Sequence, residues 1–282
     1  MSANKPTFSI IIPTLNEEKY LPHLLSDLSI QTFNDFEVIV VDGKSKDKTV
    51  ELAKKTIKRN SLAIIISPLA NVAQQRNLGI QKAQGKWLLF IDADTRIPVY
   101  FLEGIKYQLA KNGVIDVFTS LLAADEDSNL TLLFAKTINL GLLLQEKSSK
   151  QYAIGAFIGA TREVCQTIKF NQTVKLGEDS EFIREATAKG FQFRIFKDPV
   201  YVFSFRRLRK EGVLKMLAID TKAIYKDLMN QKDVNNDYGY VMKGGDYYEN
   251  TNTAIHLEYM QKAMKLTKTQ IKRLNDFFKK LS

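Results

Sequence analysis

Residues 86–98, KWLLFIDADTRIP, run five apolar side chains, Trp87 to Ile91, straight into Asp92-Ala93-Asp94 and close on Pro98. A short apolar run bounded by chain breakers suits a strand buried on both faces. Side chains in extended backbone repeat every two residues, so the pattern predicts Asp92 and Asp94 pointing the same way at the strand's end. Two anions held side by side repel, and one takes up a proton unless a cation stands between them. The pair therefore calls for a divalent metal or a cationic ligand.

Upstream, strand-like and helix-like runs alternate. FSIIIP (8–13) precedes a helical pattern from Glu17 to Ser29 that places Leu21, Leu24, Leu25 and Leu28 on one side. FEVIVVD (36–42) leads into KSKDKTVELAKKTIK, where Ser45 or Asp47 is the expected N-cap. LAIIIS (62–67) precedes NVAQQRNLGIQKAQG, a helix closed by Gly85, and WLLFIDAD follows. This order predicts an α/β fold with a mostly parallel sheet covered by helices on both faces. Ligands of such folds sit at the carboxyl ends of the strands.

Downstream, VIDVFTS (114–120) reads as a strand and 129–146 as an amphipathic helix. AFIGATREV (156–164) reads as a strand, EDSEFIREATAKG (178–190) as a helix ended by Gly190, and FRIFKDPVYVFSF as a strand pair around Pro199. After Arg206 the periodicity is helical apart from VNNDYGYVMKGGDYY (234–248), which reads as a loop.

Composition narrows the function classes. The single Cys165 excludes an internal disulfide and points to a reducing compartment. No leader or membrane-spanning run is visible, so a cytoplasmic location is expected. The formal charge is +10, and the tail 261–282 supplies +6 of it, seven lysine and arginine residues against Asp276 alone. No zinc-finger or RNA-binding aromatic motif accompanies that charge, so nucleic acid is not the expected partner. The strand ends carry no G-x-G-x-x-G and no G-x-x-x-x-G-K-[ST], which removes a dinucleotide turn and a P-loop. DADTRIPVYFLE fails as a calcium loop because Arg96 fills a ligand slot and Ile97 replaces the turn glycine. An acidic cleft with few histidines suits Mg2+ or Mn2+, which prefer carboxylate oxygens completed by substrate phosphates.

Four segments, SIIIPTLNEEKYLPHLLSDL, EVIVVDGKSKDKTVELAKK, QQRNLGIQKAQGKWLLFIDADT and LGEDSEFIREATAKG, together resemble inverting family 2 glycosyltransferases with the GT-A fold. The likeness covers residues 7–212, with the motifs in the expected order. It implies a GT-A catalytic domain over 1–212 and a mostly helical basic extension over 213–282. It also implies that Pro13, Thr14 and Glu17 line a nucleotide pocket and that Asp42 bonds the base. By the same likeness Arg76 lies near the nucleotide or its phosphates, Asp92 contacts the ribose or sugar, and Asp94 binds the metal of the D-x-D motif. Asp179 is then the general base, Glu178 shapes the acceptor site, and Arg206 or Arg207 meets the diphosphate. The chain departs from the family pattern in lacking a tryptophan in this basic segment and in carrying Ser204 where a metal-binding histidine can occur.

The implied activity is transfer of a sugar from a nucleotide-sugar donor, UDP- or GDP-linked, to a glycan or lipid-linked acceptor of the cell envelope. Apolar stripes among lysines in 211–228 and in the tail can lie on an anionic membrane or pack on the domain. The tail makes peripheral contact with the inner face of the cell membrane an expectation. Two alternatives remain at this point: a sugar-nucleotide-binding scaffold, and a nucleotidyltransferase, which would want a glycine-rich loop where this chain has PTLNEE.

Overall fold

β1 (Phe8–Thr14) is the central strand of the first half, and its side chains show why. Phe8, Ile10 and Ile12 face one apolar layer and Ile11 faces the other, so both sides of the strand are covered. In this computed structural model residues 5–56, 62–145, 151–174, 176–211 and Gly245 are described. Seven strands form one sheet in the order β3-β2-β1-β4-β6-β5-β7. The other strands are β2 (Phe36–Asp42), β3 (Leu62–Ile66), β4 (Trp87–Ile91), β5 (Val117–Ala124), β6 (Phe157–Thr161) and β7 (Phe193–Phe203).

One face carries α1 (Leu21–Ser29) and α4 (Phe101–Lys111), whose Leu21, Leu24, Leu25, Phe101, Leu102 and Ile105 pack under β1 and β4. The other carries α3 (Val72–Lys82), α6 (Arg162–Thr167) and α7 (Glu178–Ala188), through Ala73, Ile80, Val164, Phe182 and Ile183. The remaining helices are α2 (Thr49–Thr56), α5 (Asn129–Gln145) and α8 (Arg206–Glu211).

The sheet is parallel except for β6, which runs against both β4 and β5. Strand order reverses at β1: the chain steps outward to β2 and β3, then returns to place β4 on β1's other side. The crevice above the carboxyl ends of β1 and β4 is therefore the switch point, where ligands of open α/β sheets bind.

Several sequence expectations are refined. α1 starts at Leu21 rather than Glu17, because Asn16 takes a left-handed φ of 52° and the Glu17 N–H donates to Thr49 Oγ1. Asp47 accepts the N–H of Thr49 at the start of α2, whereas the Ser45 hydroxyl donates to Asp42 instead. The run 156–164 splits: β6 ends at Thr161, whose hydroxyl oxygen caps α6 by accepting from Val164. The expected strand pair around Pro199 is the single strand β7, which passes through a cis Asp198–Pro199 bond and shifts register against β5. Helix α4 had no counterpart in the sequence reading. Of the expected helical extension, everything past α8 lies outside the described residues except Gly245, and so do the basic tail and the rest of the loop 234–248. Among the described residues no helix is long and apolar enough to cross a membrane.

Candidate active site

The wall on the β1 side is built from strand ends stapled together. Pro13 and Thr14 end β1 opposite Val41 and Asp42 of β2, and all four are buried. Gln75 of α3 donates its side-chain amide to the carbonyls of both Thr14 and Val41, at 2.8 and 2.6 Å, and so pins the two ends to each other. Asp42 is 1% exposed and its carboxylate accepts from the Thr14 hydroxyl and from both the hydroxyl and N–H of Ser45. It thus shapes the loop after β2. Gly245 closes this wall: its N–H donates to the Leu15 carbonyl at 3.0 Å. A Cβ there would stand 2.2 Å from the Asn16 carbonyl oxygen and 2.7 Å from Glu17 Oε2, so only glycine fits.

The stretch that opened the sequence reading departs from expectation in a useful way. Past Ile91 the chain leaves the extended form and turns, with Thr95 N–H donating to the Asp92 carbonyl at 3.0 Å. Asp92 and Asp94 consequently reach different partners instead of sharing one. Asp94 Oδ2 takes Nε of Arg206 at 2.9 Å. The other two nitrogens of that guanidinium hold both oxygens of Glu17, at 2.8 and 2.6 Å, and its carbon lies 4.5 Å from the centre of the Tyr20 ring. Arg206 opens α8, which is anchored independently: Arg209 grips Asp125 bidentately, and Phe205 and Leu208 are buried. Arg207 is its half-buried neighbour on that helix.

Asp92 turns to the opposite side. Its Oδ1 accepts from Arg76 at 3.1 Å, while the same guanidinium donates to Glu178 Oε1 at 3.0 Å and to the Gly155 carbonyl at 2.9 Å. Arg76 is 1% exposed and lies over the Phe170 ring. It is therefore placed as an internal brace between β4 and α7, and these bonds commit its guanidinium to protein rather than to a phosphate. The Gly155 peptide continues the chain of contacts, since its N–H donates to Asp179 Oδ2 at 2.6 Å. A Cβ on Gly155 would come within 2.8 Å of Arg76 Nη2 and 3.0 Å of Asp179 Oδ2. That approach is possible because β6 runs against β4: the residues entering β6 stand beside those leaving β4, and Asp92 N–H donates to the Ala156 carbonyl. Asp179 lies in the first turn of α7, where the helix dipole favours a negative charge.

Five carboxylates, of Glu17, Asp92, Asp94, Glu178 and Asp179, thus share two guanidinium groups, and the protonation of several reflects the shortage of positive charge. Burial pushes Glu17 up to about 7 despite Arg206, with Asp94 and Asp92 adding to the rise. Partial loss of water raises Asp92, a third of whose side chain still reaches solvent, with the charges of Asp94 and Asp179 adding to the rise, and burial raises Glu178, beside which Asp179 is the next cause. Such a cluster attracts a cation. Among the described residues no group of three or more histidine, cysteine or carboxylate side chains forms a metal cage by itself. Magnesium and manganese need only one or two carboxylates where substrate phosphates complete the shell. Asp94, a hard oxygen donor 18% exposed at the lip of the crevice, fits that requirement.

The site residues named from the sequence gather at the carboxyl ends of the strands in two groups, Pro13, Thr14, Glu17, Asp42, Asp94 and Arg206 in one and Arg76, Asp92, Glu178 and Asp179 in the other, with Arg207 next to Arg206 on α8. Sequence reasoning missed Gln75, Gly155, Tyr20 and Gly245. Gln75 sits next to Arg76 in QQRNLG, and its signal is an amide at a buried helix position beside strand ends. Gly155 carried the cue of a glycine preceding a strand; Gly245 carried none.

Comparison with known proteins gives the family and the fold. The sequence profile described as glycosyl transferase family 2 matches residues 9–169. The chain is similar to the poly(ribitol-phosphate) beta-N-acetylglucosaminyltransferase TarS of Staphylococcus aureus, at 26% identity over 206 residues in strain MW2 and 40% in strain Mu50. These alignments cover 71% of this chain and 36% of TarS, so the chain spans little more than a third of those relatives. Among solved structures, S. aureus TarS 1–349 in complex with UDP-GlcNAc superposes with a TM-score of 0.58 at 19% identity, covering 87% of this chain and 76% of that one. The mannosyltransferase PcManGT of Pyrobaculum calidifontis, in complex with GDP-Man and Mn2+, gives 0.62 at 17% identity over 95% and 83% of the two chains. At such identities the likeness shows the fold, which is GT-A. With the profile matched over more than half its length, the chain belongs to glycosyl transferase family 2.

Proposed function

We propose that the protein transfers a sugar, with inversion at C1, from a UDP-linked donor to a hydroxyl of a cell-envelope glycan or lipid-linked acceptor, with Asp179 as general base. The observation that carries this reading is the fixed path from Asp92 through Arg76 and the Gly155 peptide to Asp179. It holds a donor-side carboxylate and a candidate base in one rigid arrangement, which is what a single displacement needs. Asp179 takes the proton from the acceptor hydroxyl as that oxygen attacks C1 from the face opposite the diphosphate. The bond from C1 to the diphosphate breaks, and Arg206 meets the charge that develops there. Asp94 is the residue that would hold a divalent cation, which when bound supplies Lewis-acid neutralisation of the same leaving group. Asp92 and Asp42 bind sugar and base, and Glu178 borders the acceptor. UDP is preferred over GDP because TarS, the relative at 40% identity, has been solved in complex with UDP-GlcNAc.

Two experiments test it. Asp179→Asn should abolish transfer while leaving UDP binding intact; full turnover would remove Asp179 from the mechanism. A panel of nucleoside diphosphates with and without Mn2+ should raise the melting temperature, since a ligand at a hundred times its dissociation constant adds about 2.7 kcal/mol. The shift should vanish in Asp94→Asn, and absence of any shift in the wild type would sink the donor reading. The basic tail is proposed to bring the enzyme to an anionic membrane, and equal liposome flotation of the full chain and a 1–260 truncation would refute that.

A further inference from the structure

The guanidinium of Arg206 occupies the place a cation would take between the carboxylates of the β1 and β4 loops. Nε bonds Asp94, the two terminal nitrogens bond both oxygens of Glu17, and Tyr20 covers one face, leaving the side chain 11% exposed. The helix bearing it does not depend on these contacts, because Arg209, Phe205 and Leu208 anchor α8 elsewhere. The contacts of the Arg206 side chain and those that seat its helix are therefore made by different residues.

We propose that Arg206 is a positioning residue that acts as the built-in counter-ion of Asp94, so that a divalent cation and a nucleoside diphosphate bind as one linked event. The proposal rests on the donor reading above for the identity of the incoming ligand. A cation approaching Asp94 alone must displace Nε of Arg206 or accept a full positive charge a few ångströms away, and charge repulsion at that range is large in a partly buried site. A diphosphate removes the obstacle. Its oxygens offer the planar guanidinium a bidentate partner as good as the carboxylates it leaves. Arg206 then moves from Asp94 to the phosphates, and Asp94 is released to the metal. Reciprocity follows: whatever the diphosphate gains for the cation, the cation returns to the diphosphate. A metal ion without nucleotide is rejected, which keeps the acidic crevice from filling with free magnesium.

The sign of one effect separates this role from the alternatives. Mn2+ binding in the absence of nucleotide, followed by the electron-paramagnetic signal of the free ion, should be tighter in Arg206→Gln than in wild type by at least about fivefold, the low end of ordinary coupling between sites. The same variant should bind UDP more weakly. An arginine that only grips phosphate would leave binding of Mn2+ alone unchanged, and a structural arginine would weaken both; either result overturns the proposal. Lys55→Gln, which deletes one positive charge where it pairs with Glu51 on the exposed face of α2, should leave Mn2+ binding as in wild type. If Arg206→Gln does not fold, Arg206→Lys, which keeps the charge but cannot span both carboxylates, should fall between wild type and that expectation; Mn2+ affinity no higher than wild type overturns the proposal. In the wild type UDP should tighten Mn2+ binding and uridine should not, and equal Mn2+ affinity with and without UDP would overturn the proposal directly. Failure of UDP and GDP to bind under any condition would refute the donor reading, while the nucleotide-free Mn2+ comparison would still decide the role of Arg206.

Discussion

Arg76→Met is the sharpest test of the architecture. The guanidinium is 1% exposed and donates to Asp92, Glu178 and the Gly155 carbonyl at 3.1, 3.0 and 2.9 Å. Methionine keeps the unbranched apolar stem beside Phe170, so the packing loss is small and the electrostatic loss dominates. Breaking a buried ion pair by removing one partner costs about 3–5 kcal/mol, because the other charge stays behind unpaired. Two of the stranded groups have an escape. Asp92 keeps 36% of its side chain exposed and rehydrates. Glu178, already raised by burial, takes up a proton. The Gly155 carbonyl loses one ordinary hydrogen bond, worth about 1 kcal/mol. The expected destabilisation is at the low end of the range, about 3 kcal/mol by urea unfolding at pH 8. It should shrink at pH 6, where protonation of Glu178 is easier. Adding Glu178→Gln should recover about 1–2 kcal/mol, within the usual size of coupling between touching residues. A loss under 1 kcal/mol, or a loss that neither pH nor Glu178→Gln changes, would mean that Arg76 does not brace the site.

Other expectations follow from the same geometry. Gly155→Ala pushes a methyl between Arg76 and Asp179, so turnover should fall by about tenfold to a hundredfold, as misplacement of a base by a fraction of an ångström does, with a smaller loss of UDP affinity by calorimetry. Gly245→Ala should do the reverse, weakening UDP binding more than it slows transfer, because its Cβ meets Asn16 and Glu17 and not Asp179. Glu17 rises from 4.5 to about 7 on folding, so between those values the folded state holds a proton the unfolded chain lacks. Stability should therefore fall as pH climbs through that window, by at most about 3 kcal/mol at 1.36 kcal/mol per unit, and Glu17→Gln should flatten the denaturation-midpoint profile. An unchanged slope in the variant would place the titration elsewhere.

The first half of the fold was legible because each strand there is a bounded apolar run and each helix carries a stripe. The parallel order of β1 to β4 follows from that alternation, and so does the crevice at their ends. The reversal of β6 was not legible, since a strand reads the same in either direction and only its partners decide. Pro199 misled in the same region: it looks like a break, yet β7 runs through it at the sheet edge, where it falls in the register shift against β5 and no ladder bond needs an N–H from it. The two arginines illustrate the limit for the site. Arg76, expected near the nucleotide or its phosphates, is buried against three acceptors, and Arg206, expected at the diphosphate, stands between Glu17 and Asp94. Which carboxylate a guanidinium finds depends on turns, such as the one at Asp92–Thr95, that residue spacing alone does not specify.

The antiparallel β6 has a consequence for how such a chain can diversify. Gly155 is held beside Asp92 by the pairing of Phe157 with Ile91, not by the length of the connection that precedes it. Insertions or deletions between α5 and Gly155 can therefore accumulate without displacing Asp179 from its place. Chains of this fold are free to change length there while the contact of Gly155 with Asp179 is inherited unchanged.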